Sequence, residues 1–350
     1  MLENATRSAG VQPARAGRLT TSWARHQTDA DVVHMHWLEY IVTVDDGSLA
    51  GVARTLVRTA RLVGSLLLLR RRRVGIVWTV HNLMPHEVAL PRVQRFVAQT
   101  TAVLADDLIV HSDYARARVH EAFWGARRRP VHVIPHANYV GAYPEAAEER
   151  DATRRRLGIP DGAYVYLCFG QVRGYKRLAR LAQRFRGLDD ENARLLVLGR
   201  VVDDEEGARL EAEAATDRRI LLRLRHVPDE SVAAVHRASD AAVIAYKDVF
   251  SSGALLLALS YGVPVVAPAA GTAQELFGAP AVEFFRDVDD DMLDALARVR
   301  AGAGPEQTRA AHDAADAFPW STVGVRTAEV YRRAAGRAPT RPGWLHRGRS

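Results

Sequence analysis

Residues 241–268, AAVIAYKDVFSSGALLLALSYGVPVVAP, contain a complete strand–helix–strand unit. The end segments 241–245 and 263–267 are short apolar runs of the kind found in buried strands, and 254–261 has a helical pattern. Two strands connected through a helix run parallel in one sheet. This stretch therefore predicts an α/β fold with a parallel sheet.

The same alternation extends towards the N-terminus in two series. The series next to this unit has strands predicted at 164–170, 193–198 and 220–225 and helices at 177–186, 206–215 and 231–238. The earlier series has strands predicted at 30–37, 74–81, 107–111 and 131–136 and helices at 48–73, 92–104 and 112–123. Together they predict two doubly wound Rossmann-like domains, with ligands at the carboxyl ends of the strands and a cleft between the domains.

The length of the chain, 350 residues, also suits two domains. A linker is predicted at 139–151, which contains Gly141, Pro144 and a run of glutamate and alanine. The expected organisation is a loosely structured, variable lead-in at 1–29, a first domain at 30–145, a second domain at 151–317, a helix at 318–336 that returns to the first domain through Trp320, and a disordered tail at 337–350.

The composition is that of a globular protein, with 48% hydrophobic and 25% charged residues. The first 25 residues lack the apolar core of a secretory signal, so we expect a cytoplasmic protein. Cys168 is the single cysteine, which excludes an internal disulfide, and its apolar neighbours predict a core position. The net charge of +7 suits an anionic partner but does not select one. The basic residues are almost entirely arginines, which reflects a coding bias as much as an adaptation. We therefore expect no nucleic acid partner.

The loop FGQVRGYK, residues 169–176, directly follows the first predicted strand of the second domain. Its glycines allow the backbone to approach a phosphate, and Arg173 and Lys176 are placed to neutralise two phosphates. It is not a Walker loop, because the G-x-x-x-x-G-K-[ST] spacing is absent. The alternative is a solvated basic turn.

Two further segments follow predicted strands of the second domain. In the first, Ser251 or Ser252 would cap a helix that begins near Gly253, and its free N–H groups would form an anion site. In the second, GTAQE at 271–275, Glu275 would accept hydrogen bonds from ribose hydroxyls. The alternative for Glu275 is a carboxylate that is favoured by the helix dipole.

In this order, the segments 169–176, 251–268 and 271–275 resemble the donor-binding half of GT-B glycosyltransferases. The segments HMHW at 34–37, TVHNLMPHE at 79–87 and VIPHANY at 133–139 resemble bacterial members that build exopolysaccharide or glycolipid, including β-mannosyltransferases that use GDP-mannose. The resemblance covers about 30–300. It implies that Arg173 and Lys176 hold the donor diphosphate, that Ser251, Ser252 and Gly253 meet it from the helix end, and that Glu275 lies near the ribose.

This sequence departs from the family pattern at two places. Many retaining relatives carry Glu-x7-Glu at the helix start, where this chain has Val249 and Leu257. The usual first strand with its glycine-rich loop, expected ahead of Ala30, is missing or unrecognisable. The first departure favours an inverting transfer, which needs a base for the acceptor hydroxyl. The candidates are His81, His86 and Glu87, in the loop after a predicted strand; His34, His36 and Glu39 are weaker alternatives, and a purely structural role is the other possibility for each histidine.

We expect no cofactor and no metal. The acidic runs Asp203–Glu206 and Asp287–Asp291 read as solvated helix starts, and arginine, lysine and a helix terminus would supply the positive charge.

The leucine run at 66–69, followed by arginines at 70–73, suggests contact with an anionic membrane that presents a lipid-linked acceptor. The alternative is a buried crossover helix that ends in solvated arginines.

The predicted partners are therefore a nucleotide-sugar donor and a saccharide, lipid-linked or small-molecule acceptor. The rival functions on the same fold are a non-catalytic sugar-nucleotide or nucleic-acid binder and a sugar-nucleotide epimerase. A phosphorylase would need a lysine-bound pyridoxal cofactor, and the chain has only Lys176 and Lys247.

Overall fold

We describe the protein from a computed structural model. The structure describes residues 1–14, 19–26, 30–42, 48–84, 90–246, 250 and 253–337. The contacts divide the chain into two compact units. Unit 1 comprises Met1–Pro135 and the chain from Trp320 onwards, and unit 2 comprises His136–Pro319.

Each unit has a parallel sheet with helices packed on it. The strands are β1 Val32–Met35, β2 Gly75–Thr79, β3 Asp107–Val110, β4 Val131–Val133, β5 Tyr164–Phe169, β6 Ala193–Leu198, β7 Ile220–Arg223, β8 Ala241–Val243, β9 Val265–Pro268 and β10 Val282–Phe285. The α-helices of unit 1 are α1 Leu2–Ser8, α2 Thr21–His26, α3 Leu38–Val42, α4 Leu49–Arg71, α5 Pro91–Leu104 and α6 Asp113–Ala122. Those of unit 2 are α7 Arg150–Leu157, α8 Leu178–Phe185, α9 Asp204–Ala214, α10 Asp229–Arg237, α11 Gly253–Ser260, α12 Gly271–Leu276, α13 Met292–Ala301 and α14 Pro305–Asp316. The last helix, α15 Trp320–Arg337, belongs to unit 1, and short 3-10 turns occupy Trp124–Arg128 and Gly174–Lys176.

The sheet of unit 1 has the strand order β1-β2-β3-β4, with every neighbouring pair parallel. Because the strands advance in one direction and parallel crossovers are right-handed, the connecting helices fall on one face. α15 packs on β1 and β2 instead of lying in a crossover, and a Cβ on Gly75 would lie 2.8 Å from the Ala334 carbonyl carbon. The described strands of unit 1 are therefore wound in one direction, unlike the doubly wound sheet expected from the sequence.

The lead-in at 1–29 was expected to be loosely structured, but its described parts contain α1 and α2. α1 packs against α15 so closely that a Cβ on Gly324 would lie 2.5 Å from the Ala5 carbonyl carbon. α2 packs against α4, where Gly64 faces Thr21. These helices are stabilised by tertiary contacts, which a short segment without clear periodicity does not reveal.

The sheet of unit 2 has the order β10-β9-β8-β5-β6-β7 and is parallel throughout. The chain moves outward from β5 to β7, then returns to β8 and moves outward on the other side. This unit is doubly wound, as the sequence predicted. Its topological switch point lies between β5 and β8.

Alternate residues of β5 pack into cores on the two faces of this sheet. Tyr166 and Cys168 contact the cluster that contains Phe185, whereas Val165 and Leu167 contact the cluster on the other face. Cys168 is buried and free, and burial raises the pKa of its thiol to about 12. The predicted core position of the cysteine is confirmed.

The boundary between the units falls earlier than the linker predicted at 139–151. The backbone N–H of Asn138 donates to Phe318 O at 2.9 Å, and its side-chain amide donates to Ala315 O at 3.1 Å. The N–H of Tyr139 donates to Ser260 Oγ at 2.9 Å. These bonds tie the segment after Pro135 to unit 2.

No helix in the described part of the chain is long and apolar enough to cross a bilayer.

Candidate functional site

The switch point of unit 2 lies at the carboxyl ends of β5 and β8, where doubly wound sheets bind their ligands. The chain leaves β5 through Gly170, whose φ is +106°. A Cβ on neighbouring Gly199, with φ +148°, would lie 2.1 Å from Gly170 O. Gly199 must be glycine because a Cβ there would meet the backbone of Gly170, and Gly170 favours glycine because of its positive φ.

Backbone hydrogen bonds hold the loop after β5 against the loop after β6. The N–H of Gly170 donates to Leu198 O at 2.8 Å, and the N–H of Val172 donates to Arg200 O at 3.0 Å. Val172 also forms an isolated parallel bridge with Val201. The loop that carries Arg173 and Lys176 is therefore positioned by its backbone.

Asp203 fixes the turn that carries the two cations. Its Oδ2 accepts from the N–H of Gly174 at 3.1 Å, and its Oδ1 accepts from the N–H of Glu206 at 3.1 Å and so caps α9. Glu206 is itself buried and accepts from the N–H of Ala179 at 3.0 Å. The sequence correctly predicted a helix start here, but the expectation that this run is solvated was wrong for Glu206.

Arg173 and Lys176 both lie on this loop and are half-buried. The Nε–H of Arg173 donates to Gln171 Oε1 at 2.9 Å. Burial, with a smaller contribution from the charge of Arg173, lowers the pKa of the Lys176 ammonium to about 8. Within the described chain the side-chain ammonium of Lys176 has neither an ion pair nor a hydrogen bond, and it lies over Gly170, where a Cβ would be 3.0 Å from Nζ. A half-buried cation without a counter-ion attracts an anionic ligand.

The start of α11 is described from Gly253 onwards. The predicted cap residues Ser251 and Ser252 lie outside the described residues. A Cβ on Gly253 would lie 2.7 Å from Tyr139 Oη, so the absence of a side chain there lets the tyrosine approach the helix. Burial raises the pKa of Tyr139 to about 12.

Sequence reasoning assigned no role to Tyr139 or to its neighbour His136. The two rings stack with centroids 5.5 Å apart. The Nδ1–H of His136 donates to Ala137 O at 2.7 Å, which leaves Nε2 as an acceptor. Both residues lie in the segment VIPHANY, 133–139, and its resemblance to bacterial glycosyltransferases was the signal that could have identified them.

Glu275 lies exposed on α12, the helix that follows β9. The same helix is anchored by buried Thr272, whose hydroxyl donates to Phe250 O at 2.5 Å. This bond connects α12 to the loop that precedes α11. Glu275 is thus placed on the helix after the strand end, and its ribose contact stays a prediction.

In unit 1 three histidines follow the carboxyl ends of three neighbouring strands: His36 after β1, His81 after β2 and His111 after β3. We call them the histidine row. His36 Nδ1 lies 2.9 Å from His81 Nε2, and His81 Nδ1 lies 3.4 Å from His111 Nε2. Trp37 stacks on His81 with centroids 4.1 Å apart.

The backbone sets the tautomers of the histidine row. His111 Nδ1 lies 2.9 Å from the carbonyl oxygen of Ile134, which only accepts, so this nitrogen carries the proton. In the neutral row His111 Nε2 then accepts from His81 Nδ1–H, and His81 Nε2 accepts from His36 Nδ1–H. In this tautomer the Nε2 nitrogen of His36 carries no proton.

His34 lies on β1, two residues before His36, and both of its ring nitrogens form hydrogen bonds. Nδ1 lies 2.6 Å from Tyr331 Oη on α15, and Nε2 lies 2.7 Å from Thr79 Oγ1. Burial, together with the neighbouring charges of His36 and His111, lowers the pKa of His34 well below its usual value. His34 is therefore neutral at pH 7 and has no ring nitrogen left for a substrate.

Three base candidates from the sequence have no described side chain. His86 and Glu87 lie outside the described residues, and the side chain of Glu39 on α3 is likewise not described. Of the three first candidates only His81 is described, and it uses both ring nitrogens within the row. The sequence analysis missed His111, although a histidine at the end of each of three consecutive strands was visible.

In the acidic run at 287–291, Asp289, Asp290 and Asp291 form ion pairs with arginines. Asp289 contacts Arg177, Arg180 and Arg184, and hydrogen bonding to Arg180 lowers its pKa. Among the described residues, no group of three or more histidine, cysteine or acidic side chains is arranged to hold a metal ion.

Residues 149–300 match the family model of glycosyl transferases group 1. The GDP-mannose:glycolipid 4-beta-D-mannosyltransferase of Xanthomonas campestris pv. campestris is 29% identical over 240 residues, which cover 68% of this chain and 61% of that protein. The D-inositol 3-phosphate glycosyltransferase 1 of Catenulispora acidiphila is 27% identical over 368 residues, which cover 95% of this chain and 79% of that protein. The match to the mannosyltransferase thus spans about three fifths of its length.

Among solved structures, Anabaena HepE in complex with UDP-glucose superimposes with a TM-score of 0.64 at 16% identity, covering 79% of this chain and 77% of that chain. This likeness, with two parallel-sheet α/β units, establishes the GT-B fold predicted from the sequence. Residues 149–300 therefore resemble glycosyl transferases group 1, on a chain with the GT-B fold.

Proposed function

From a GT-B fold whose residues 149–300 match glycosyl transferases group 1, we propose that this chain transfers a hexosyl group from a nucleotide-diphosphate sugar to an acceptor hydroxyl. The observation that carries the proposal is Lys176. It is a half-buried ammonium at the topological switch point, with a pKa lowered to about 8 and no partner in the described chain. A donor diphosphate would supply that partner, with Arg173 on the same loop binding further oxygens.

We propose GDP-mannose as the donor. Support comes from the relative whose name specifies GDP-mannose and a glycolipid, and from the resemblance to β-mannosyltransferases in 34–37, 79–87 and 133–139. The acceptor would be lipid-linked, a saccharide or a small molecule, and the glycolipid named for the relative favours the first.

An inverting mechanism is proposed because the helix that carries two carboxylates in many retaining relatives lacks them here. Leu257 on α11 is buried among apolar residues and cannot replace a carboxylate. In the inverting reaction a base removes the proton of the acceptor hydroxyl, whose oxygen attacks the anomeric carbon. The bond from that carbon to the diphosphate oxygen breaks, and its electron pair leaves with the diphosphate.

Our candidate base is Nε2 of His36, the ring nitrogen that carries no proton in the neutral histidine row. After proton uptake the imidazolium would be stabilised through its Nδ1–H, which donates to His81 at 2.9 Å. His81 and His111 are then positioning residues that hold the His36 tautomer. His86 and Glu87 stay as alternative bases.

The leaving diphosphate is negatively charged, and Arg173 and Lys176 would stabilise that charge as the glycosidic bond breaks. For this reason we propose a transfer that needs no divalent metal and no cofactor. The positive charge comes from the protein itself.

The test is a thermal-shift screen against GDP, UDP, TDP and ADP, followed by a transfer assay with the sugar nucleotide of the best ligand. A ligand at 100 times its Kd stabilises the folded state by about 2.7 kcal/mol through mass action. We expect GDP to give the largest shift and GDP-mannose to be turned over. Binding without turnover would instead indicate a non-catalytic sugar-nucleotide binder, and no nucleotide binding at all would refute the site.

A further inference from the structure

One face of unit 1 exposes a group of large apolar side chains. Leu67 on α4, Phe96 on α5 and Trp124 in the 3-10 turn are 50%, 55% and 55% exposed. Together with Val63 and Val103 they line an open groove between these elements. We call this surface, formed by α4, α5 and the turn Trp124–Arg128, the apolar–arginine face.

This groove is not the segment for which the sequence suggested membrane contact, the leucine run at 66–69 followed by the arginines at 70–73. Leu66 and Leu69 in the leucine run are fully buried, because this side of α4 packs on the sheet. Leu67 points the other way and is the most exposed residue of the run. The leucine run is therefore largely core, and the exposed apolar surface is assembled from three elements that are distant in sequence.

The three elements that form this face carry charges of one sign. Across α4, α5 and the turn there are nine arginines and no aspartate or glutamate: Arg54, Arg58, Arg61, Arg70, Arg71, Arg92, Arg95, Arg127 and Arg128. Arg70 is paired with Asp106 from outside the three elements. Within the described chain Arg71, Arg92, Arg95 and Arg128 have no ion pair, and Arg92 and Arg95 line the groove.

We propose that the apolar–arginine face docks on an anionic lipid surface. Aromatic side chains such as Trp124 and Phe96 favour the interface between lipid headgroups and acyl chains. Arginines at the rim of the groove would contact lipid phosphates, each contributing about 1 kcal/mol near an anionic bilayer. Three neighbouring elements without acidic residues suit a lipid layer that carries one sign of charge better than a protein partner of mixed charge. The inference rests on this surface and not on the proposed transfer reaction.

The experiment is co-sedimentation of the full chain with vesicles of phosphatidylcholine alone or mixed with phosphatidylglycerol, at low and high salt. We expect binding to the anionic vesicles that weakens with salt. The double variant Arg92→Glu/Arg95→Glu should bind at least about 30-fold more weakly, the loss expected for two arginine contacts. The matched control is Arg218→Glu/Arg309→Glu, which changes the net charge equally at exposed positions of unit 2 and should bind like the parent.

A second readout reports on the apolar contacts. Trp124→Phe should remove the fluorescence blue shift that anionic vesicles induce, and Phe96→Ser should weaken binding at high salt, where the electrostatic contribution is screened. Circular dichroism and thermal melting of each variant report whether it is folded. Absence of binding to anionic vesicles at low salt would overturn the proposal. So would an equal loss of binding in the unit 2 control, since binding would then follow net charge and not this face.

Discussion

His36 Nδ1 lies 2.9 Å from His81 Nε2, and this contact joins side chains that follow two neighbouring parallel strands. It occupies one nitrogen of His81, and His111 occupies the other. In our proposal the acceptor-side base is therefore His36 and not His81, because Nε2 of His36 carries no proton in the neutral row.

The first prediction concerns this base. Replacing His36 by alanine should lower kcat by about 10²–10⁴ and leave donor affinity nearly unchanged, because the base acts on the acceptor hydroxyl and not on the nucleotide. Steady-state kinetics and calorimetric titration with the nucleoside diphosphate measure the two quantities. His86→Ala and Glu87→Gln test the alternatives in the same assay.

His111→Asn is the matched control for a positioning role in the row. It should shift the acid limb of the pH profile of kcat/KM, since the tautomer of His36 would no longer be fixed through Ile134 O. Unchanged kcat in the His36 variant would exclude it as base. Full activity in all of the variants would remove both the histidine row and the neighbouring loop from the mechanism.

The second prediction concerns the donor loop. Arg173→Ala or Lys176→Ala should each cost on the order of 1.5–3 kcal/mol of nucleotide-diphosphate affinity, through loss of charge-assisted bonds. Isothermal titration with the diphosphate gives the difference, and Arg200→Ala, an exposed arginine on the adjacent loop, serves as the control. Parent-like affinity in both loop variants would mean that the site is misplaced.

The third prediction is a pH dependence of donor binding. In the free protein burial lowers the pKa of Lys176 to about 8. A bound diphosphate favours the charged ammonium and raises that pKa, so affinity is constant below pH of about 8 and falls as pH rises above it. Titrations near pH 9 in buffers of different ionisation enthalpy should show proton uptake on binding.

The control for this pH effect is Lys176→Arg, which stays charged over the whole range and should flatten the dependence. Affinity that is the same at pH of about 7 and about 9 in the parent protein would contradict the assignment of Lys176 to the diphosphate.

A fourth prediction is that transfer survives chelation. Because Arg173 and Lys176 supply positive charge to the leaving diphosphate, EDTA should leave the initial rate unchanged. The measurement compares rates in chelator with rates in added magnesium. Activity that disappears in chelator and returns with magnesium would show that a metal is required.

The fifth prediction is the configuration of the product. An inverting enzyme converts an α-linked sugar nucleotide into a β product, and the buried apolar side chain of Leu257 argues against the carboxylate pair of retaining relatives. Proton NMR of the first-formed product, recorded before any anomer equilibrates, reads the configuration directly. An α anomer would sink the inverting mechanism.

Much of unit 2 was predictable because its signals are local. The apolar run of β5 and the helical patterns of α8 and α11 identify themselves within a few residues, and the loop with Arg173 and Lys176 directly follows a strand. Strand β10 and helix α14 were not anticipated, whereas α13 begins directly after the helix start predicted at Asp287–Asp291. The sequence also misplaced the domain boundary, because the bonds of Asn138 to Phe318 and Ala315 join residues far apart in the chain.

The sequence by itself determined the parallel α/β architecture, the strand ends at which ligands bind, and the cationic loop, since periodicity and chain order suffice to place residues at the carboxyl ends of strands. Tertiary structure alone decided which nitrogen of which histidine is basic, that Asp203 holds the donor turn, and that the exposed apolar surface is assembled from α4, α5 and Trp124. Each of these depends on atoms brought within a few ångströms by strand order and helix packing, and such contacts leave no local pattern in the chain.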